Sequence, residues 1–118
     1  MNLKDVKKLL NAEVCCGSRR MEERVSGICG SDMMSDVLAE NEQKTMLMTG
    51  LVNVQVIRTA EMLDMFCIVF VRSKQPTPQM IEMAEEAGMV VMTTDMKMFE
   101  SCGLLYTFLR DESEAKNV

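Results

Sequence analysis

The chain contains no histidine and no tryptophan, and it has one tyrosine, four phenylalanines and two prolines. Without an imidazole, no Ser-His-Asp triad, Cys-His pair or histidine-based metal site can be assembled. The five cysteines, Cys15, Cys16, Cys29, Cys67 and Cys102, are odd in number and never spaced C-x-x-C, which argues against a disulfide framework and a standard zinc site. They are expected as small apolar fillers, Cys67 within a strand-like run and Cys102 on a helical stripe. The neighbours Cys15 and Cys16 cannot face the same side of a strand, so a shared metal is not expected. Aromatic residues at 4% offer few stacking platforms, and a net charge of −5 leaves no broad basic surface for nucleic acid. The basic groups Lys7-Lys8 and Arg19-Arg20 with Arg24 are short and lie among acids. No apolar run approaches the roughly 18 residues that cross a bilayer. The longest, Met65 to Val71, is strand-sized, and the amphipathic start of the chain lacks the h-region of a signal peptide, so a cytoplasmic protein with no membrane partner is expected. Neither G-x-x-x-x-G-K-[ST] nor G-x-G-x-x-G occurs, because Gly27 and Gly30 have the wrong spacing and context, and no cofactor is implied.

What is present is a globular composition, 47% apolar and 26% charged over 118 residues, enough for one domain with one core. From Thr45 onward, strand-like and helix-like periodicities alternate, the pattern of parallel strands joined by crossover helices. Met46 to Gly50 reads as a buried strand. Asn53 then caps a helix through Asp64 with Val56, Ile57, Ala60 and Leu63 inward. Phe66 to Val71 is β-branched and aromatic, a central strand covered on both faces. Thr77-Pro78 starts a helix that Gly88 ends, carrying Met80, Ile81, Ala84 and Ala87 inward. Met89 to Thr93 makes the next strand, and Asp95 caps a last helix whose buried stripe is read as Phe99, Cys102, Tyr106 and Leu109. Before Thr45 the pattern gives a helix bearing Leu3, Val6, Leu9 and Leu10, strands at Glu13 to Cys16 and Val25 to Cys29, and a short helix with Met34, Val37 and Leu38, capped by Ser31 or Asp32. The fold expected is a single layered α/β domain over residues 1–109, with a mostly parallel sheet of about four to five strands flanked by helices. Residues 110–118, without an apolar face, are expected to be a flexible tail.

Open parallel sheets bind ligands where strand ends and helix starts converge. Here that edge collects Thr49, Gly50 and Asn53 after the first buried strand, Arg72, Ser73 and Lys74 after the second, and Thr93, Thr94 and Asp95 after the third. Helix starts with free N–H groups, a glycine that admits close approach and two cations suit an anion such as a nucleotide or acyl phosphate. The plainer reading of the same positions is caps and solvated turns. Asp32, Asp36 and Glu40, at i, i+4 spacing, could share a helical face and hold a hydrated divalent cation, or else complement the helix dipole. The fourteen methionines, with pairs such as Met62/Met65, Met80/Met83 and Met89/Met92, bring a soft-metal site to mind, yet most stand where Leu or Ile would continue the core pattern.

Three strings, Gly30-Ser-Asp-Met-Met-Ser-Asp-Val-Leu-Ala39, Met48-Thr-Gly-Leu-Val-Asn-Val-Gln-Val-Ile-Arg-Thr-Ala-Glu-Met-Leu63 and Ile68-Val-Phe-Val-Arg72, carry a resemblance to the DRTGG domain family. The likeness runs from about Met1 to Leu109; the five-letter string itself is absent, and Thr49-Gly50 is its nearest fragment. The resemblance implies kinship with the N-terminal, non-kinase domain of HPr kinase/phosphorylase, and with modules fused to phosphotransacetylases and CBS-containing pyrophosphatases. It implies a regulatory or dimerising role, with catalysis left to other domains. It further implies a partner enzyme, metabolic or hydrogenase-associated, since stand-alone relatives are often encoded near iron hydrogenases. No ligand residue transfers with it. The leading expectation is a homodimeric, non-catalytic regulatory domain that senses a small anionic metabolite or nucleotide or docks on an enzyme. The alternatives are a phosphotransferase using Asp32 or Asp36 with Mg²⁺, and a pure protein-interaction scaffold.

Overall fold

A computed structural model of the chain describes residues 1–40 and 42–116. Helix α1 (Leu3–Leu10) begins at a capping box in which the Asn2 side chain accepts from the Asp5 N–H while Asp5 accepts from the Asn2 N–H, and it ends on left-handed Asn11. Strand β1 (Glu13–Cys16), a 3-10 turn at Ser18–Arg20, β2 (Ile28–Gly30) and α2 (Met34–Leu38) follow. The remainder is β3 (Met46–Thr49), α3 (Val54–Met62), β4 (Cys67–Phe70), α4 (Pro78–Glu86), β5 (Val90–Thr93) and α5 (Met98–Lys116). Asn53 caps α3 by accepting from the Val56 N–H, and Thr77 caps α4 with Pro78 at the first helical position, both as the sequence signals require.

The strands form one five-stranded sheet in the order β1-β5-β4-β3-β2. β2, β3, β4 and β5 run parallel, and β1 joins the far edge antiparallel to β5 with a register shift between Val14 and Cys16. Every residue of β3, β4 and β5 is buried, because helices cover both faces. The two-residue strand period divides the core accordingly. Met46, Met48, Cys67, Val69, Val90 and Met92 pack toward Leu3, Val6 and Leu10 of α1 and Leu105 of α5. Leu47, Ile68, Phe70 and Val91 pack toward Val37, Val56, Ile57, Ala60, Met80 and Ala84 of α2, α3 and α4. Met65, Met80, Met89 and Met92 are core residues, whereas Met62 is exposed. All five cysteines are free thiols.

Several boundaries move. β2 begins at Ile28 rather than Val25, since Val25 is buried elsewhere and its N–H donates to the Met1 carbonyl. α2 begins after Met33, which supplies no side-chain cap; Ser31 Oγ accepts from the Met33 N–H and Asp32 turns away toward β3. The helix therefore contains only Asp36 of the acidic trio, so Asp32, Asp36 and Glu40 do not share a helical face. Asp95 does not cap α5, which starts at Met98; its carboxylate accepts from Ser73 Oγ instead. The buried stripe of α5 is also corrected. Phe99 and Tyr106 are 89% and 69% exposed, and the helix instead presents Ser101 and Leu105 inward, flanked by Met98, Cys102, Phe108 and Leu109. Those positions recur at three and four residues and leave Phe99 and Tyr106 on the outer flank. α5 outruns its apolar pattern and continues to Lys116, with Glu112 accepting from the Met1 ammonium at 2.6 Å and from Arg24 at 3.4 Å. Asn117 and Val118, the end of the expected tail, lie outside the described residues.

Candidate functional site

At the C-terminal end of β3 the chain leaves the sheet through Thr49, which is fully buried, and Gly50. Thr49 Oγ1 accepts from the Leu51 N–H, turning the backbone toward the α3 cap. At the end of the neighbouring β4, Arg72 and Ser73 both have positive φ, 58° and 60°. Two consecutive non-glycine residues in the left-handed region cost about 1–2 kcal/mol each, so the surrounding structure has to impose them. It does so through the β5–α5 connection: the Arg72 N–H donates to the Met96 carbonyl at 2.8 Å, and the Ser73 N–H to the Thr94 carbonyl at 3.0 Å. The resulting bend lays the Arg72 guanidinium on Gly50, where any Cβ would collide with it.

Asp32 completes the constellation. Its Oδ1 accepts from the Gly50 N–H at 2.7 Å and from Thr49 Oγ1 at 3.2 Å, while Oδ2 faces Arg72 Nη2 at 3.3 Å. The Gly50 N–H, the Thr49 hydroxyl and the Arg72 guanidinium together hold the Asp32 carboxyl below its usual range, outweighing the opposing effect of partial burial. A backbone N–H, a hydroxyl and a guanidinium, drawn from the ends of two adjacent parallel strands, thus converge on one carboxylate. Both charged side chains stay open to solvent, 43% exposed for Asp32 and 44% for Arg72.

The other expected site residues are distributed differently. Asn53 spends its side-chain oxygen on the α3 cap, and Lys74 is exposed beside the bend. Thr93, Thr94 and Asp95 line a separate polar cleft of about 410 Å³ with Lys7, Asn11, Glu13 and Gln75. Within it Thr94 Oγ1 donates to the Leu10 carbonyl at 2.7 Å and accepts from the Met96 N–H at 3.2 Å, so that hydroxyl ties α1 to the sheet. Ser73 connects the two halves of the edge through its bond to Asp95. The structure therefore unites Thr49, Gly50 and Arg72, adds Asp32, and sets Thr93, Thr94 and Asp95 apart in their own cleft. Two larger and more apolar grooves flank α5: one between it and the β2 edge, about 590 Å³, and one against Leu9 and Met96, about 660 Å³. Among the described residues no group of three or more Cys, Asp or Glu side chains is placed to hold a metal ion, and no helix is long and apolar enough to cross a membrane.

The signal for Asp32 was present in the strand register. Gly30 pairs with Met48 across β2 and β3, so the residues two positions further on, Asp32 and Gly50, emerge side by side. Thr49 pairs with Phe70 across β3 and β4, which sets Gly50 beside Val71 and one residue short of Arg72. An aspartate just ahead of a helix carries the same local pattern whether it caps that helix or bonds across the sheet, and here the Asp32 carboxylate takes the Gly50 N–H.

No protein-family model matches the chain, and no curated protein matches it. Among solved structures it is similar to the CBS and DRTGG domains of the regulatory region of Clostridium perfringens pyrophosphatase, complexed with an activator, diadenosine tetraphosphate. The TM-score is 0.71 at 18% identity, covering 87% of this chain and 45% of that one. The fold is thus DRTGG-like, as the sequence strings imply, and this chain spans less than half of that neighbour.

Proposed function

We propose that the domain is a non-catalytic regulatory module that senses a small anionic ligand, a nucleotide or another phosphorylated metabolite, at the ends of β3 and β4. The observation that carries this reading is the convergence of the Gly50 N–H, Thr49 hydroxyl and Arg72 guanidinium on one anionic group. These donors suit phosphate oxygens as well as carboxylate oxygens. They stand at the sheet edge where open α/β folds take their ligands. The similar pyrophosphatase region, which is regulatory and holds a nucleotide activator, supports the same class of function. A phosphotransferase with Asp32 as base is disfavoured, since three donors lower the basicity a proton acceptor needs. The module acts as a homodimer on a partner enzyme, and the exposed Phe99 and Tyr106, seven residues apart along the outer flank of α5, offer an apolar surface for the second copy.

A thermal-shift screen of nucleotides and phosphorylated metabolites tests the site. A ligand at a hundredfold excess over its dissociation constant stabilises the fold by about 2.7 kcal/mol. Arg72→Ala should remove most of the shift and Arg19→Ala none of it; the reverse ranking, or no shift from any anion, overturns the reading. Sedimentation at high micromolar concentration tests the dimer, which Tyr106→Glu should dissociate; a monomeric wild type refutes it.

A further inference from the structure

Asp32 occupies the place an anionic ligand needs. All three donors of the site, the Gly50 N–H, Thr49 Oγ1 and Arg72 Nη2, are already engaged by its two carboxylate oxygens. If the carboxylate stayed while an anion arrived, two like charges would share one guanidinium and one N–H group, which is unfavourable at such short range. Resting on the reading above, we propose that Asp32 is a built-in competitor for the site, and that a phosphate group binds by replacing it and releasing the β2–α2 connection. Three features favour replacement over permanent closure. Asp32 is 43% exposed, so the outgoing carboxylate returns directly to water and regains its hydration. The segment carrying it, Ser31 to Met33, lies between β2 and α2 and belongs to neither element. α2 itself is only five residues long, has no side-chain cap and buries a single residue, Val37.

Two consequences follow. The first concerns selectivity. A ligand has to outcompete a tethered monoanion whose effective concentration is high, so a phosphate dianion or the terminal group of a polyphosphate succeeds where a simple carboxylate does not. The second concerns output. Met33, 59% exposed, sits on the segment that Asp32 holds, and Leu38, 45% exposed, ends the short helix that follows it, so release of the segment moves an exposed apolar side chain that a partner can recognise.

Calorimetric titration of the full chain with inorganic pyrophosphate, with acetate as the monoanion control, tests the proposal. Asp32→Asn keeps the shape and removes the charge, and is expected to tighten pyrophosphate binding at least tenfold; Asp32→Ser, which vacates more of the cradle, should do the same. An unchanged or weakened affinity in both variants, with their urea transitions intact, overturns it. If the variants fail to fold, hydrogen exchange on the wild type decides. Saturating pyrophosphate should speed exchange across Ser31–Ser35 while leaving Gly50 protected, and slowed exchange there refutes the release. Arg72-dependent binding by the wild type without tightening in either Asp32 variant sinks this inference alone. Absence of binding by wild type and variants alike sinks the site reading with it.

Discussion

Gly17 and Gly88 both have left-handed backbone, φ +83° and +70°, but their surroundings differ. A Cβ on Gly17 would lie 2.6 Å from the Met89 carbonyl oxygen and 2.7 Å from Val90 Cα, both backbone atoms at the entrance to β5, whereas a Cβ on Gly88 would meet nothing within 4 Å. Gly88→Ala should therefore cost only the conformational penalty, about 1 kcal/mol. Gly17→Ala adds the overlap with a strand backbone that cannot swing aside as a side-chain tip can, a further ~2 kcal/mol, for a total of about 3 kcal/mol. Gly103 supplies the opposite sign, because it lies inside α5 with open space around it, and Gly103→Ala should stabilise by about 0.5–1 kcal/mol. Urea unfolding measures all three: with a slope of about 1.5 kcal/mol per molar, the midpoint falls by about 2 M for Gly17→Ala and by under about 1 M for Gly88→Ala, and rises slightly for Gly103→Ala. Equal losses at Gly17 and Gly88 would refute the close approach of the β1 exit to β5, and with it the antiparallel edge pairing of Val14 with Met92 and Cys16 with Val91.

Val69 is fully buried, with Met48 and Met92 as its neighbours in the sheet, so Val69→Asp places an unpaired charge in the core and should abolish cooperative unfolding; a retained sigmoidal melt would show that the strand reaches water. Thr59 is fully buried, and among the described residues its hydroxyl has no hydrogen-bond partner, so the near-isosteric Thr59→Val should raise stability by about 1 kcal/mol, a melting shift of about 4 °C. A loss of stability in differential scanning calorimetry would mean that the hydroxyl is satisfied in solution. Complete burial pushes the Cys67 thiol far above its ordinary range, while Cys15 and Cys102 are only partly buried. N-Ethylmaleimide followed by mass spectrometry should accordingly label Cys15 and Cys102 in the native protein and Cys67 only on unfolding, and early labelling of Cys67 would contradict its place in the core.

The features legible in the chain are those set by neighbours in sequence. Asn53 and Thr77-Pro78 mark helix starts because an N-cap bonds three residues ahead, and the strands around Met46, Cys67 and Val90 show themselves as short apolar runs between helix-like segments. From these came the parallel sheet, its covering helices and the edge where Thr49, Gly50 and Arg72 meet. What the tertiary structure decided were matters settled between distant segments. A helix with apolar side chains on several flanks does not declare which flank faces the sheet, so α5 buries Ser101 and Leu105 and leaves Phe99 and Tyr106 outside. The antiparallel attachment of β1 beyond β5 depends on which edge remains open once the crossovers have been placed, a choice with no local signature. Asp32 had two good options, a cap on the helix that follows it or a long-range bond to Gly50, and spacing alone favoured the local one. The parallel register brought the Gly50 N–H, the Thr49 hydroxyl and the Arg72 guanidinium to the same carboxylate, and three donors outweigh a single cap.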